Sequence, residues 1–477
     1  MDKKIGLIIL VLLALTPIFN FREVLSFMTV DRVRGGEYFN TPVYIKLIKD
    51  AGFTAIILLS ILNMILTGKF KRRAFFLAMM AGVFAALSAL SYSKSPLYAF
   101  AGLRWSLPIL LIPCLIGVVD DRLMSKIAKT IATIFLLSFA VQIGQYAYHL
   151  SHKNDFKLSH LKISYKYLCK LQIPPKVYLS YPEKYYLRTN ICNPAEGVYQ
   201  DYTDMDITQV EDPLAQRKRN IFYNPLPPEY YVNITKPDML NYLIYGPRML
   251  GIFIMHNTAA LFACITILFA YFYLKKSILR TATLVIVPLA ILIYGSGIGD
   301  IAFIILAGYL FLSKKVPKKT LGVILIITIT LSISLLPMLT GRQDIANSPK
   351  SRLTYFIKIL NNAEPISTKF GIATNSVMLL SSDFKIKQLG ILSESTIASV
   401  LANIGGIGLG LLIAAYMFWI FFVSRSGKQD AVALTIIYTL FSCTTIITEA
   451  FPANLLFAVG IAYFAPKILT KPKVLHG

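Results

Sequence analysis

Long tracts almost free of charge recur along this chain, and each is long enough to cross a bilayer as a helix. Spans are expected at roughly 4–20, 51–67, 74–92, 97–119, 127–149, 256–274, 281–297, 300–313, 320–339, 397–423, 431–447 and 453–468. A hydrocarbon core of about 30 Å takes roughly 20 apolar residues in helical form. Inside it every backbone N–H and C=O must be satisfied within the segment, which leaves the helix as the element such tracts form. The expected architecture is therefore an all-α polytopic integral membrane protein with about 12 transmembrane helices. Composition agrees: 56% of the 477 residues are hydrophobic and only 15% charged, with a mean hydropathy of +0.61. The first apolar run lacks a small-residue cleavage pattern before "NFREVL", so it reads as a retained signal-anchor span.

The connections set the orientation. "MDKK", "GKFKRR", "DDRLMSK", "KKSILR", "KKVPKK", "SRSGK" and "KPK" are short and basic, and with twelve spans all of them fall on one side. By the positive-inside rule that side is the cytoplasm, with both termini in it. The same accounting disposes of the net charge of +24, which reads as topogenic and headgroup-facing rather than as a nucleic-acid surface. No helix-turn-helix, zinc or base-stacking pattern accompanies it.

The chain divides into an N-terminal membrane part (1–149), an outward loop or cap (150–245) and a C-terminal membrane part (246–477) with a second large outward loop (340–396). Residues 21–50 form a further outward connection. The cap is rich in Tyr and Pro and carries about as many acidic as basic residues, which fits a small folded lid. Cys169 and Cys192 lie within it, either as a disulfide in an oxidising compartment or as two thiols. The loop lengths of the two halves do not match, and no pair of broken helices recurs. An inverted-repeat transporter is disfavoured on that ground.

Polar residues next to apolar tracts are the places to look for chemistry. Arg104, in "AGLRWSLPIL", is about two turns into the fourth span; it either faces the bundle interior or snorkels to the interface. Asp300, in "GSGIGDIAF", reads as a turn residue capping the eighth span, and Glu449 as an outer-loop residue. From Arg248 the chain runs Arg, x, x, Gly251, x, Phe253, x, x, x, Asn257, x, x, Ala260. This resembles the "RxxGxFxxxNxxA" signature of the bacterial O-antigen polymerase and O-antigen ligase superfamily, although His256 stands where that family usually has Pro. "GRQDIANSPKSRLTYFIKILNNAEPISTKFG", with Arg342 and Arg352, resembles the family's outer segment. "LSESTIASVLANIGGIGLGLLI" resembles its closing motif, with Ser393, Glu394 and Ser395 in the place of His-Asn or Asp-Ser. "YGSGIGDIAFIILAG" is similar to "TxSRGxxxAxxxG" without its arginine.

The resemblance covers about 250 residues of the C-terminal half and implies a GT-C-like membrane glycosyltransferase of the bacterial cell inner membrane. Such an enzyme moves glycan from an undecaprenyl diphosphate carrier to an acceptor hydroxyl at the outer face. It needs neither metal nor other cofactor, and its implied partners are a flippase and a chain-length co-polymerase, with membrane lipid around it. Arginine suits a diphosphate because its planar fork binds phosphate oxygens and keeps its charge when partly desolvated. Arg248 is the expected catalytic cation. Arg104, Arg342 and Arg352 are expected to bind the donor, with Gly246 and Gly251 allowing close backbone approach and Asn257 satisfying backbone or sugar groups. For the base that takes the acceptor proton the candidates are His256 and Glu394; packing at a helix start and helix capping are their respective alternatives. A polymerase of lipid-linked repeat units is preferred, since the closing motif lacks the His-Asn form. A ligase acting on lipid A core or protein, and a polysaccharide transporter, stay open.

Overall fold

The computed structural model describes residues 1–20, 43–67, 107–151, 251–253, 256–294, 296–313, single positions at 353, 356, 357 and 360, and residues 395–426, 428–447 and 450–469. These are almost wholly helical. In chain order the helices are α1 (Asp2–Ala14), α2 (Thr16–Asn20), α3 (Val43–Thr67), α4 (Asp121–Ser151), α5 (His256–Tyr273), α6 (Ile278–Tyr294), α7 (Gly297–Leu312), α8 (Thr396–Ser426), α9 (Gln429–Ser442) and α10 (Ala453–Leu469). A further helical stretch covers 107–115. Three helical segments are long and apolar enough to cross a membrane, Asp121–Gly144, His256–Tyr273 and Gly406–Ser426; α6, α7 and most of α10 are shorter apolar helices. The expected spans at 74–92 and 320–339 lie outside the described residues, as do most of the cap and of the 340–396 loop.

Element ends depart from expectation at three places. The first span is not one helix: α1 stops at Ala14 and α2 starts at Thr16, because Pro17 has no N–H to continue the ladder and its ring opposes the preceding turn. Conversely α3 starts at Val43 rather than 51, so the outward connection 21–50 is shorter than expected. Lys46, Lys49 and Asp50 spoil a hydropathy window there without opposing a helix, and Asp50 is buried. At the other extreme α9 ends at Ser442, and Thr444 and Thr445 both donate their N–H to the Phe441 carbonyl in a closing turn.

The contacts between the described helices sort into two ends. At one end Gly6 of α1 lies against Leu123 of α4, and Asn63 donates to the Asp2 carboxylate at 2.8 Å. Asp121 accepts from Lys467 and Tyr463 of α10; the Tyr463 ring meets Tyr273 edge-on, and Tyr273 donates to Asp430 at 2.8 Å. Lys3, Lys4, Arg122, Lys275, Lys276, Arg280, Arg425 and Lys428 belong to this same basic end. At the opposite end Phe451 packs on Phe19 and Phe53, the start of α5 meets the start of α7, and the start of α8 meets the turn before α10.

Within the bundle α5 is the axis: thirteen consecutive residues, Thr258–Ala270, are buried. It is surrounded by α4, α6, α7, α9 and α10. The polar hydroxyl of Thr266 is absorbed by the Phe262 carbonyl one turn back, at 2.7 Å. Small residues bring backbones close, as expected where lipid offers no hydrophobic drive for helix association: a Cβ on Gly299 would stand 2.5 Å from Ala260, and one on Gly460 2.5 Å from Leu434. By contrast α8 leaves Ile407, Ile413, Met417, Phe418 and Phe421 exposed, an apolar surface ended by Arg425 stacked on Phe421.

Two of the polar contacts at the basic end should differ in weight. Tyr273 is a partly buried donor to a carboxylate, so Tyr273→Phe is expected to cost about 1.5–3 kcal/mol. The Lys467–Asp121 pair is largely exposed, at 38% and 81%, and Lys467→Ala should cost no more than about 1 kcal/mol. Thermal unfolding of the two variants in one detergent checks the order.

Candidate functional site

At the end opposite the basic residues, the segment that opens on Gly251 is laid against α4. Gly251 has φ +61°, the left-handed region that glycine enters without penalty. A Cβ there would lie 2.3 Å from the Ser138 Oγ and 2.5 Å from the Ser138 carbonyl oxygen, so only a hydrogen fits. The next residue uses that proximity: the Ile252 N–H donates to Ser138 Oγ at 3.2 Å. Phe253 is buried and packs its ring on Phe262 of α5, centroids 5.1 Å apart. The chain then enters α5 at His256 and Asn257.

Asn257 faces α7. Its Oδ1 accepts from the Ser296 hydroxyl at 2.8 Å, and Ser296 Oγ in turn accepts from the Gly299 N–H at 3.2 Å as the N-cap of α7. One turn deeper Ala260 meets Gly299. The helix cap is thus Ser296, and the expected capping role of Asp300 is corrected: Asp300 sits inside the first turn of α7, its Oδ1 excluded from solvent. Gln142 of α4, wholly buried, donates to the Ala290 carbonyl of α6 at 3.2 Å and ties a third helix into this end.

The closing motif is held by a second set of bonds. The Ser395 hydroxyl accepts from the Ala398 N–H at 3.1 Å, so Ser395 provides side-chain capping at the start of α8. Thr396 Oγ1 donates to the Thr445 carbonyl at 2.8 Å and accepts from the Ile447 N–H at 3.0 Å. These anchor α8 to the turn between α9 and α10.

Of the residues expected to do chemistry, His256, Asn257 and Gly251 are therefore placed together where α5 begins. Arg104, Arg248, Arg342, Arg352 and Glu394 lie outside the described residues, as do Glu449, Cys169 and Cys192. Gly251 and Asn257 have contacts with Ser138 and Ser296 that position helices; the expectation that they touch donor or sugar is separate from this. Ser138, Ser296 and Thr396 were not singled out from sequence. Ser296 carried a signal, a serine three residues before Gly299 at the head of an apolar run; Ser138 carried none, since it is one hydroxyl within an apolar tract.

Comparison with known protein families gives no matching family model, and no curated protein matches the chain.

Proposed function

We propose that this protein is an inner-membrane polymerase of lipid-linked oligosaccharide repeat units. It would transfer a glycan from undecaprenyl diphosphate to a sugar hydroxyl at the outer face, without metal or other cofactor. The basic end is then cytoplasmic, and the end bearing Gly251, His256 and Asn257 faces outward. The observation that carries the reading is the fit of the Arg248 pattern to the packing. Gly251 needs no side chain, Phe253 fills an aromatic contact, Asn257 accepts from Ser296, and Ala260 stays small against Gly299. These four contacts support the reading of the spacing as one packed unit at the start of α5.

In this reading that unit serves to hold the short segment ahead of α5 at the outward end, so that Arg248 meets a carrier headgroup at the lipid–water boundary. Arg104, Arg342 and Arg352 add positive charge for the diphosphate. The diphosphate oxygen leaves as the acceptor hydroxyl attacks the anomeric carbon, and cations stabilise the charge that develops on it. The acceptor proton passes to His256 or Glu394.

The test is the surface glycan of a deletion strain run as a ladder. The expected result is collapse of the ladder to a single repeat unit on the core, with chain length restored by the wild-type gene. Loss of all glycan from the core, with long chains kept on the lipid carrier, would make the protein a ligase instead. An unchanged ladder would overturn both readings.

A further inference from the structure

The long helix α4 turns one narrow face away from the bundle. Arg122, Lys126, Lys129, Thr133, Leu137 and Ala140 are exposed along it, and steps of three and four residues place them on one side of the helix. Ile127, Ile131 and Phe135, on the other side, are buried. The exposed face changes character along its length. Its cations fill the first three turns, and from there to Gly144 no charged residue follows. The one hydroxyl beneath them is absorbed, since Thr133 donates to the Lys129 carbonyl at 3.0 Å; Leu137 below it is 59% exposed.

These cations reach further in than the rest of the basic end. The other described lysines and arginines there stand in connections or in the first or last turn of a helix. Lys129 stands further along the axis than Asp121 by about 12 Å, at a rise of about 1.5 Å per residue, within a segment long and apolar enough to cross a membrane. Among the described residues no acid pairs with the three. Asp121 is engaged by Lys467 and Tyr463, and the Asp120 carboxylate accepts the Leu123 N–H at 2.7 Å.

We propose that this face of α4 binds an anionic phospholipid, with the phosphate on Arg122, Lys126 and Lys129 and an acyl chain along Leu137 and Ala140. The order of charge and hydrocarbon on the helix matches that of the lipid. Long cationic side chains snorkel toward the headgroup level, and phosphate oxygens accept their charge-assisted hydrogen bonds. An acidic peptide fits poorly, because at the depth of Lys129 its backbone would lose water without gaining partners. Lipid binding here is independent of the transfer reaction proposed above.

The test uses purified full-length protein in detergent, titrated with phosphatidylglycerol or with phosphatidylcholine of the same chains, bound lipid being counted by native mass spectrometry. Wild type is expected to retain phosphatidylglycerol in preference. At about one decade per 1.4 kcal/mol and about 1 kcal/mol per cation, Lys126→Gln with Lys129→Gln weakens that binding about thirtyfold. Arg122→Gln, in the exposed first turn, gives a second reading with a loss of about fivefold. Lys3→Gln with Lys4→Gln removes the same charge from the same end and changes the affinity little. Equal retention of the two lipids, or undiminished phosphatidylglycerol binding in the α4 variants, would overturn the site. Equal losses in the α1 and α4 double variants would assign the binding to the general charge of the basic end and overturn it too. Displacement of the lipid by millimolar inorganic phosphate would make the face a soluble-anion site instead.

Discussion

Gly251→Ala is expected to destabilise the protein by about 3–5 kcal/mol, well above the usual effect of adding one methyl group. Three costs combine. At φ +61° an alanine adopts a backbone conformation disfavoured by about 1–2 kcal/mol. Its Cβ would also stand 2.5 Å from the Ser138 carbonyl oxygen, which belongs to the backbone of a long helix and cannot swing away. Relief requires the segment to lift off α4, which breaks the Ile252 N–H···Oγ bond to Ser138 and disturbs the buried Phe253 against Phe262. Gly308→Ala supplies the contrast: a Cβ there meets nothing within 4 Å, and the exchange within α7 is expected to be neutral or to gain up to about 1 kcal/mol from helix propensity. Thermal unfolding in detergent of both variants beside wild type checks the order. Equal melting temperatures for the two would show that the Gly251 contact does not hold the segment.

Arg248→Ala is expected to lower the rate of chain extension by about 10²–10³-fold, the usual effect of removing one preorganised charge stabiliser. Loss of the ladder should follow, down to a single repeat unit, while protein accumulates in the membrane. Arg248→Lys should recover little, since an ammonium keeps the charge but not the planar two-pronged hydrogen bonding that phosphate oxygens accept. The measurement is donor turnover with purified variants, normalised to folded protein. If Arg248→Ala retained a normal ladder and turnover, the donor cation would have to be another residue. Arg104, Arg342 and Arg352, tested in the same way, would then identify it. The comparison with Gly251→Ala matters here, because loss of glycan in that variant is expected to accompany loss of folded protein, whereas in Arg248→Ala it is expected without it.

Most positions of the described helices were legible because hydropathy is a local sum. The α5 and α8 tracts, for example, were expected at 256–274 and 397–423 and form helices His256–Tyr273 and Thr396–Ser426. Element ends were less legible where a local chemical rule competes with the sum. Pro17 divides the first span, and the charges of Lys46, Lys49 and Asp50 hid the first two turns of α3. The candidate site was legible only as an ordered pattern. Asn257 looked like a group for sugar or backbone; its observed partner is Ser296, 39 residues on. Gly251 looked like an approach point for substrate, and the body it approaches is Ser138, whose Oγ binds the following N–H across a separation of 114 residues.

From the residues alone came the helical class and the positions of most of the described helices. These follow from the cost of placing charge and unpaired backbone in hydrocarbon, which each segment meets by itself. Only the tertiary structure decided which apolar helix is enclosed and which stays exposed. The α5 stretch is 72% buried and the α8 stretch 11%, although both are apolar, because a lipid tail and a neighbouring leucine look alike to a hydropathy scale. It also decided that Ser296 caps α7 and that Asp300 stands within its first turn. Those assignments depend on which helix stands alongside, and packing between distant segments determines that.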